Sequence, residues 1–121
     1  RPFSTAIYFL LEETEVSVLH RIQQDEVWHF YDGGRLTIHN FDTEGSYSKG
    51  TLGRYVDDGD RLMFIVQAGA LFGATVETSG YVLAGCTVAP GFDFKDFEMP
   101  KRRDLLKQYP RQREIIKRLT R

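Results

Sequence analysis

Residues 20–34 read HRIQQDEVWHFYDGG: a histidine, a glutamate six positions later and a glycine seven positions after that. Imidazole and carboxylate are both metal ligands and both proton-transfer groups. The stretch is therefore a metal site, the remnant of one, or strand packing with two polar residues to satisfy. Its periodicity is that of strands. Over 16–22, Val16, Val18, His20 and Ile22 alternate with Ser17, Leu19 and Arg21; over 26–31, Glu26, Trp28 and Phe30 alternate with Val27, His29 and Tyr31. Successive side chains of a strand point to opposite faces, so each set is expected to share one face. A bulge at 23–25 would change which face turns inward, but not that grouping. Asp32-Gly33-Gly34 closes the second strand with a turn signal.

On either side the chain continues as short strands between Gly- and Asp-rich turns. FSTAIYFLL (3–11) is apolar at both parities, as a strand buried on both faces is. RLTIHNF (35–41), a weaker YSKGTLG (47–53) and RLMFIVQ (61–67) follow, then AGALFGATVE (68–77), which turns at Gly69 and resumes, and YVLAGCTV (81–88). APGFDFKDFEMP (89–100) is loop-like yet apolar, and Phe92, Phe94 and Phe97 are expected to anchor it to the body. Seven or eight short strands, with no repeat and no low-complexity linker, predict one all-β domain whose antiparallel sandwich or barrel occupies about residues 1–100. Residues 101–121 change character. Leu105, Leu106 and Tyr109, then Ile115, Ile116 and Leu119, fall at helical spacing on either side of Pro110. Two short amphipathic helices are expected there, packed on the body with charges outward.

The charge is uneven. Residues 101–121 carry nine Lys/Arg against two acids, and residues 1–100 carry seven against fifteen. A basic tail suits nucleic acid, but no groove-reading motif accompanies it, so no nucleic-acid partner is expected and the tail offsets an acidic body. No apolar run is long enough for a membrane span, so no membrane partner is expected either. Cys86 is the single cysteine and makes no internal disulfide. With no visible signal peptide, a cytoplasmic location is expected. Cys86 has no readable cation or helix N-terminus to activate it and is expected to be an inert buried thiol.

The opening stretch resembles the first motif of the cupins, G-x5-H-x-H-x3,4-E-x6-G. His20 stands at its first histidine, Ile22 at its second, Glu26 at the glutamate and Gly33 at the glycine. QAGALF (67–72) resembles the second motif, G-x5-P-x-G-x2-H-x3-N: Gly69 matches, while Gln67, Phe72 and Val76 replace the proline, the histidine and the asparagine. STAIYFLL, HRIQQDEVWHFYDGG, AGALFGA, GCTVAPGFDFKDFEM and KRLTR together resemble a subfamily of uncharacterised, sugar-epimerase-like cupins, in order along nearly the whole chain. The resemblance implies a double-stranded β-helix (cupin jelly-roll barrel), assembly as a homodimer, and likeness to dTDP-sugar epimerases and to seed-storage cupins. Members of the subfamily begin with a helical segment and a PHPEGG-like stretch near the pocket mouth, which this sequence lacks.

A cupin metal site offers three imidazoles and a carboxylate. This chain keeps one of each, so no tight metal and no cofactor are expected. Completing a site would need His29, His39 or Asp25, and strand parity turns His29 to the face opposite Glu26. The remnant reading makes His20 and Glu26 a catalytic pair, Glu26 hydrogen-bonding His20 from the neighbouring strand, with Trp28, Phe30 and Phe72 as ligand-binding surface. Such a pair suits proton abstraction next to a carbonyl in a metal-independent sugar epimerase. An acid on the opposite face would complete it, and Tyr8, Tyr47, Tyr55 and Tyr81 are all eligible. Three alternatives stand beside it: non-catalytic binding of a small, carbohydrate-like ligand, a structural cupin whose buried pair only satisfies two polar groups, and a metal-dependent enzyme with a degenerate site.

Overall fold

The computed structural model describes residues 1–121. Eight strands, β1 (Thr5–Glu12), β2 (Val16–His20), β3 (Asp25–Gly33), β4 (Leu36–Phe41), β5 (Tyr47–Leu52), β6 (Met63–Val66), β7 (Leu71–Val76) and β8 (Tyr81–Ala89), precede two helices, α1 (Arg102–Gln108) and α2 (Arg113–Arg118). The strands form two four-stranded sheets in the orders β1-β8-β3-β6 and β2-β7-β4-β5. Every pairing is antiparallel. Each chain reversal between sheets sets sequence neighbours such as β2 and β3 opposite one another, as in a jelly-roll barrel.

Burial divides into two clusters. Between the sheets lie Leu11, Trp28, Leu36, Ile38, Leu52 and Phe72, among others. On the outer side of the second sheet, Leu19, Phe41 and Leu71 pack against Leu105, Tyr109, Ile116 and Leu119 of the helical tail. The helices break at Pro110, as the missing N–H of proline requires. Arg102 ties them together: Nε donates to Thr120 Oγ1 at 2.6 Å, and Nη2 donates to the carbonyls of Thr120 at 2.6 Å and Lys117 at 3.0 Å. No helix is long and apolar enough to cross a membrane.

Two sequence expectations change. The first strand is not buried on both faces. β1 is an edge strand, with Ile7 60%, Tyr8 80% and Leu10 59% exposed. Its apolar residues look to the cavity described below on one face and to an uncovered sheet surface on the other. Nor does β2 keep strict alternation. Ser17 pairs with Ala74 and His20 with Phe72, so three steps on β2 oppose two on β7. This bulge turns Ser17 to the same face as His20, while Val16 and Leu19 reach the helices.

Candidate functional site

The barrel encloses a cavity of about 380 Å³. From the first sheet, β1 contributes Thr5, Ile7 and Phe9, β3 contributes Glu26 and Trp28, and β8 contributes Cys86 and Val88. From the second, Ser17, His20 and Ile22 face them, and Phe92, Phe94 and Phe97 of the loop after β8 form the rim. The loop is pinned by its polar residues. Phe92 N donates to Thr5 Oγ1 at 3.1 Å, Gln24 Nε2 to Asp96 at 2.8 Å, and Arg21 pairs with Glu98 at 3.2 Å. Held this way, its phenylalanines project over the opening, and Phe94 is 79% exposed at the lip. These three rings are more than the anchors expected of them. An apolar loop studded with Phe was the only signal available, and it fits anchoring and cavity lining equally.

His20 is held on two sides. Its ring lies 4.3 Å from Phe72 and stacks 5.3 Å from Phe97. Its Nδ1 lies 2.7 Å from the carbonyl oxygen of Val18. A carbonyl only accepts, so Nδ1 carries the proton and the neutral ring keeps its lone pair on Nε2. Burial lowers the pKa of His20, and the Val18 hydrogen bond partly opposes that. The imidazole is thus set as a neutral base of fixed tautomer.

Glu26 lies at the centre of the first sheet, paired with Val88 on β8 and Val66 on β6. Burial raises its carboxyl to about 7, only partly opposed by the nearby indole N–H of Trp28. That N–H is itself buried without a partner in hydrogen-bonding geometry. Glu26 does not hydrogen-bond His20, contrary to expectation. The two stand on opposite sheets, and His20 spends its Nδ1 proton on Val18.

The other expected residues divide. Trp28 lines the cavity, its ring edge-on to Phe9 at 5.0 Å. Phe72 is fully buried behind His20 and edge-on to Trp28 at 6.5 Å, which makes it the support of the site rather than its surface. Phe30, further along β3, packs on the filled part of the barrel beneath the Arg54 guanidinium and does not line the cavity. None of the four eligible tyrosines lines it either. Tyr8 lies on the outer face against Tyr31, Tyr81 donates to Asp32, Tyr55 stacks under Arg35, and Tyr47 donates to His39. The one carboxyl that lines the cavity from the other sheet is that of Glu26.

The donor set does not fit a cupin metal centre. His29 hydrogen-bonds Thr87 on the outer face, Asp25 accepts the Ala68 N–H at 2.7 Å, and His39 is buried between Tyr47 and Thr75. Ile22 and Phe72 hold the positions of the missing imidazoles. Cys86 faces the cavity, but burial, reinforced by Glu26, pushes its thiol far above the range where it ionises. No three His, Cys, Asp or Glu side chains come together in a way that could hold a metal ion.

Comparison with known proteins agrees with this architecture. A family model described as cupin superfamily (DUF985) matches residues 1–100. A solved protein of Shewanella oneidensis is 39% identical, with a TM-score of 0.94 over 98% of this chain and 75% of its own. A hypothetical protein from Leishmania major is 33% identical, with a TM-score of 0.91 over 98% of this chain and 76% of its own. A dTDP sugar isomerase from Desulfovibrio desulfuricans shares the fold at 16% identity, with a TM-score of 0.70 over 83% of this chain and 66% of its own. No curated protein matches. A jelly-roll barrel carrying His20, Glu26 and Gly33 at motif spacing, matched over most of its length, makes this chain a member of the cupin superfamily, in its DUF985 group.

Proposed function

We propose that the barrel binds a small organic molecule and moves a proton at a carbon next to its carbonyl group, without a metal, as an isomerase or epimerase does. The observation that carries this reading is the pairing of two titratable groups across one cavity, displaced by burial so that His20 is neutral and Glu26 holds its proton near neutrality. Pairs arranged in this way divide acid and base roles between them. His20 Nε2 takes the proton from carbon while Glu26 gives its proton to the carbonyl oxygen. The enediol or enol so formed is then reprotonated with the roles reversed. Likeness of fold to a dTDP sugar isomerase supports this chemistry by analogy alone.

The test is solvent-deuterium incorporation at the α-carbon of carbonyl compounds, followed by NMR. His20→Asn and Glu26→Gln are each expected to reduce it by about a hundredfold or more while ligand binding survives. Unchanged incorporation in both variants would remove them from the chemistry. Binding with no incorporation in the unaltered protein would leave a ligand-binding barrel, a reading favoured by the apolar lining.

We also propose that the chain assembles as a homodimer through the uncovered outer face of the β1-β8-β3-β6 sheet. Exposed Tyr8, Leu10, Tyr31, Met63 and Ile65 on that face support it.

A further inference from the structure

We infer that the ligand of this cavity is an unphosphorylated, uncharged carbonyl compound with an apolar ring, and neither a nucleotide sugar nor a free sugar; this rests on the proton-transfer reading above. Three features of the lining carry it.

The first is charge. None of the thirteen lining residues is Lys or Arg, and the one group able to carry full charge at neutral pH is the carboxyl of Glu26. A diphosphate or a carboxylate would enter a site with no cation to meet it and an acid already inside. The penalty for a buried, unpaired anion is severe.

The second is the count of hydrogen-bonding side chains. Nine of the thirteen are apolar, and five of those are aromatic rings: Phe9, Trp28, Phe92, Phe94 and Phe97. Thr5, Ser17, His20 and Glu26 are the polar remainder. A free sugar carries a hydroxyl on nearly every carbon. Most would be stripped of water with nothing to bind, and each unpaired group opposes binding. A ring compound buries apolar surface against the same walls and gains from it.

The third is an unmet demand. The Glu26 carboxyl has only the indole N–H of Trp28 near it, and the free Nε2 of His20 has no protein partner. An acid and a lone pair lining one space suit a single carbonyl oxygen with an adjacent C–H. The oxygen accepts from protonated Glu26, and His20 Nε2 takes the proton from the carbon. The proton that leaves carbon becomes the Nε2–H of His20. The Glu26 proton becomes the enol O–H, and return of both restores the protein.

Trp28 is the only tryptophan in the chain, so its fluorescence reports the cavity without interference. The experiment titrates the full chain with β-tetralone, an uncharged ring ketone with acidic α-protons, beside thymidine diphosphate glucose and fructose. Deuterium incorporation into β-tetralone is followed in the same samples. β-Tetralone is expected to change Trp28 emission saturably, at least about tenfold more tightly than either sugar compound. Phe94→Ser, at an exposed position where folding is not at stake, is expected to weaken it while leaving the thermal transition unchanged. Saturable binding of the nucleotide sugar or of fructose in preference to β-tetralone, or binding of none of the three, would overturn the inference. β-Tetralone bound at Trp28 without α-proton exchange would uphold the ligand class and sink the proton-transfer reading instead.

Discussion

Glu26 costs the fold something at neutral pH, and the cost has a definite sign. In the unfolded chain its carboxyl ionises near 4.5, and in the barrel near 7, because burial disfavours the charge and the indole N–H of Trp28 offsets that only in part. Between those values the folded protein holds a proton that the unfolded chain has lost. Stability therefore falls as pH rises across that window, by at most about 3 kcal/mol at about 1.4 kcal/mol per pH unit. Glu26→Gln removes the penalty. The variant is expected to match the parent below pH 4.5 and to be the more stable of the two at pH 8, as urea unfolding at the two pH values would show. On the proposed proton-transfer mechanism, protonated Glu26 works with neutral His20, so kcat/KM is expected to decline as pH rises through about 7. An alkaline limb absent from the pH profile would remove Glu26 as the acid. At this scale the spacing in the sequence singled out three residues that line the cavity, His20, Glu26 and Trp28. It missed Ile7, Phe9 and the three rim phenylalanines, because alternation assigns faces within one strand and cannot say which strands will face each other across a space.

At the scale of the element, the strands and the break between helices were legible, because turn residues and Pro110 act locally. The bulge in β2 was not. The partner strand makes room for it, at Gly73 of β7. A Cβ built there would come within 2.6 Å of the Ser17 carbonyl oxygen and 3.3 Å of both Leu19 and Leu119. The missing side chain lets the bulged β2 backbone close against β7 under the helical tail. Gly73→Ala forces that backbone outward and is expected to cost about 1–3 kcal/mol, measured as a lowered urea midpoint. The same change displaces Ser17 and His20 at the cavity, so weaker quenching of Trp28 by a bound ligand should accompany it. A neutral result would mean that β2 shifts freely and that His20 owes its position to Phe72 and Phe97 alone. The helical tail is fixed to this element by polar bonds as well as packing. Tyr47 donates to His39 Nδ1 at 2.7 Å, His39 Nε2 donates to Thr75 at 3.0 Å, and Thr75 donates to Glu77, which pairs with Arg118 of α2 at 3.6 Å. Burial pushes His39 down to about 4, so this chain stays neutral and intact well below physiological pH.

The whole molecule is asymmetric in a way that its composition hides. Both sheets have an apolar outer face, but only the β2-β7-β4-β5 sheet is covered, by the chain's own helices. The outer face of the other sheet leaves Tyr8 80%, Leu10 59%, Tyr31 52%, Ile65 49% and Met63 47% exposed, spread over β1, β3 and β6. Between them β8 presents Gly85, where a Cβ would collide with the Tyr31 side chain, 2.5 Å from its hydroxyl and 2.6 Å from its ring. Tyr31 can therefore lie down across the sheet and meet Tyr8 edge-on at 5.9 Å. The result is a broad, level apolar surface, and single soluble domains seldom leave one uncovered. A second copy, related by a two-fold axis, brings the same surface to it and needs no other partner. The resemblance in sequence implied a homodimer, but the sequence could not point to this face, since that requires knowing that β1, β3 and β6 share a sheet. Sedimentation at tens of micromolar is expected to give a dimer, and Leu10→Asp to give a folded monomer. The introduced carboxylate would enter the interface and not the cavity, because Ile7 and Phe9 supply the other face of the same strand. Ligand quenching of Trp28 should therefore survive in the monomer. A parent protein that sediments as a monomer would leave this face without a function, and a dimer unmoved by the charge at position 10 would place the contact elsewhere.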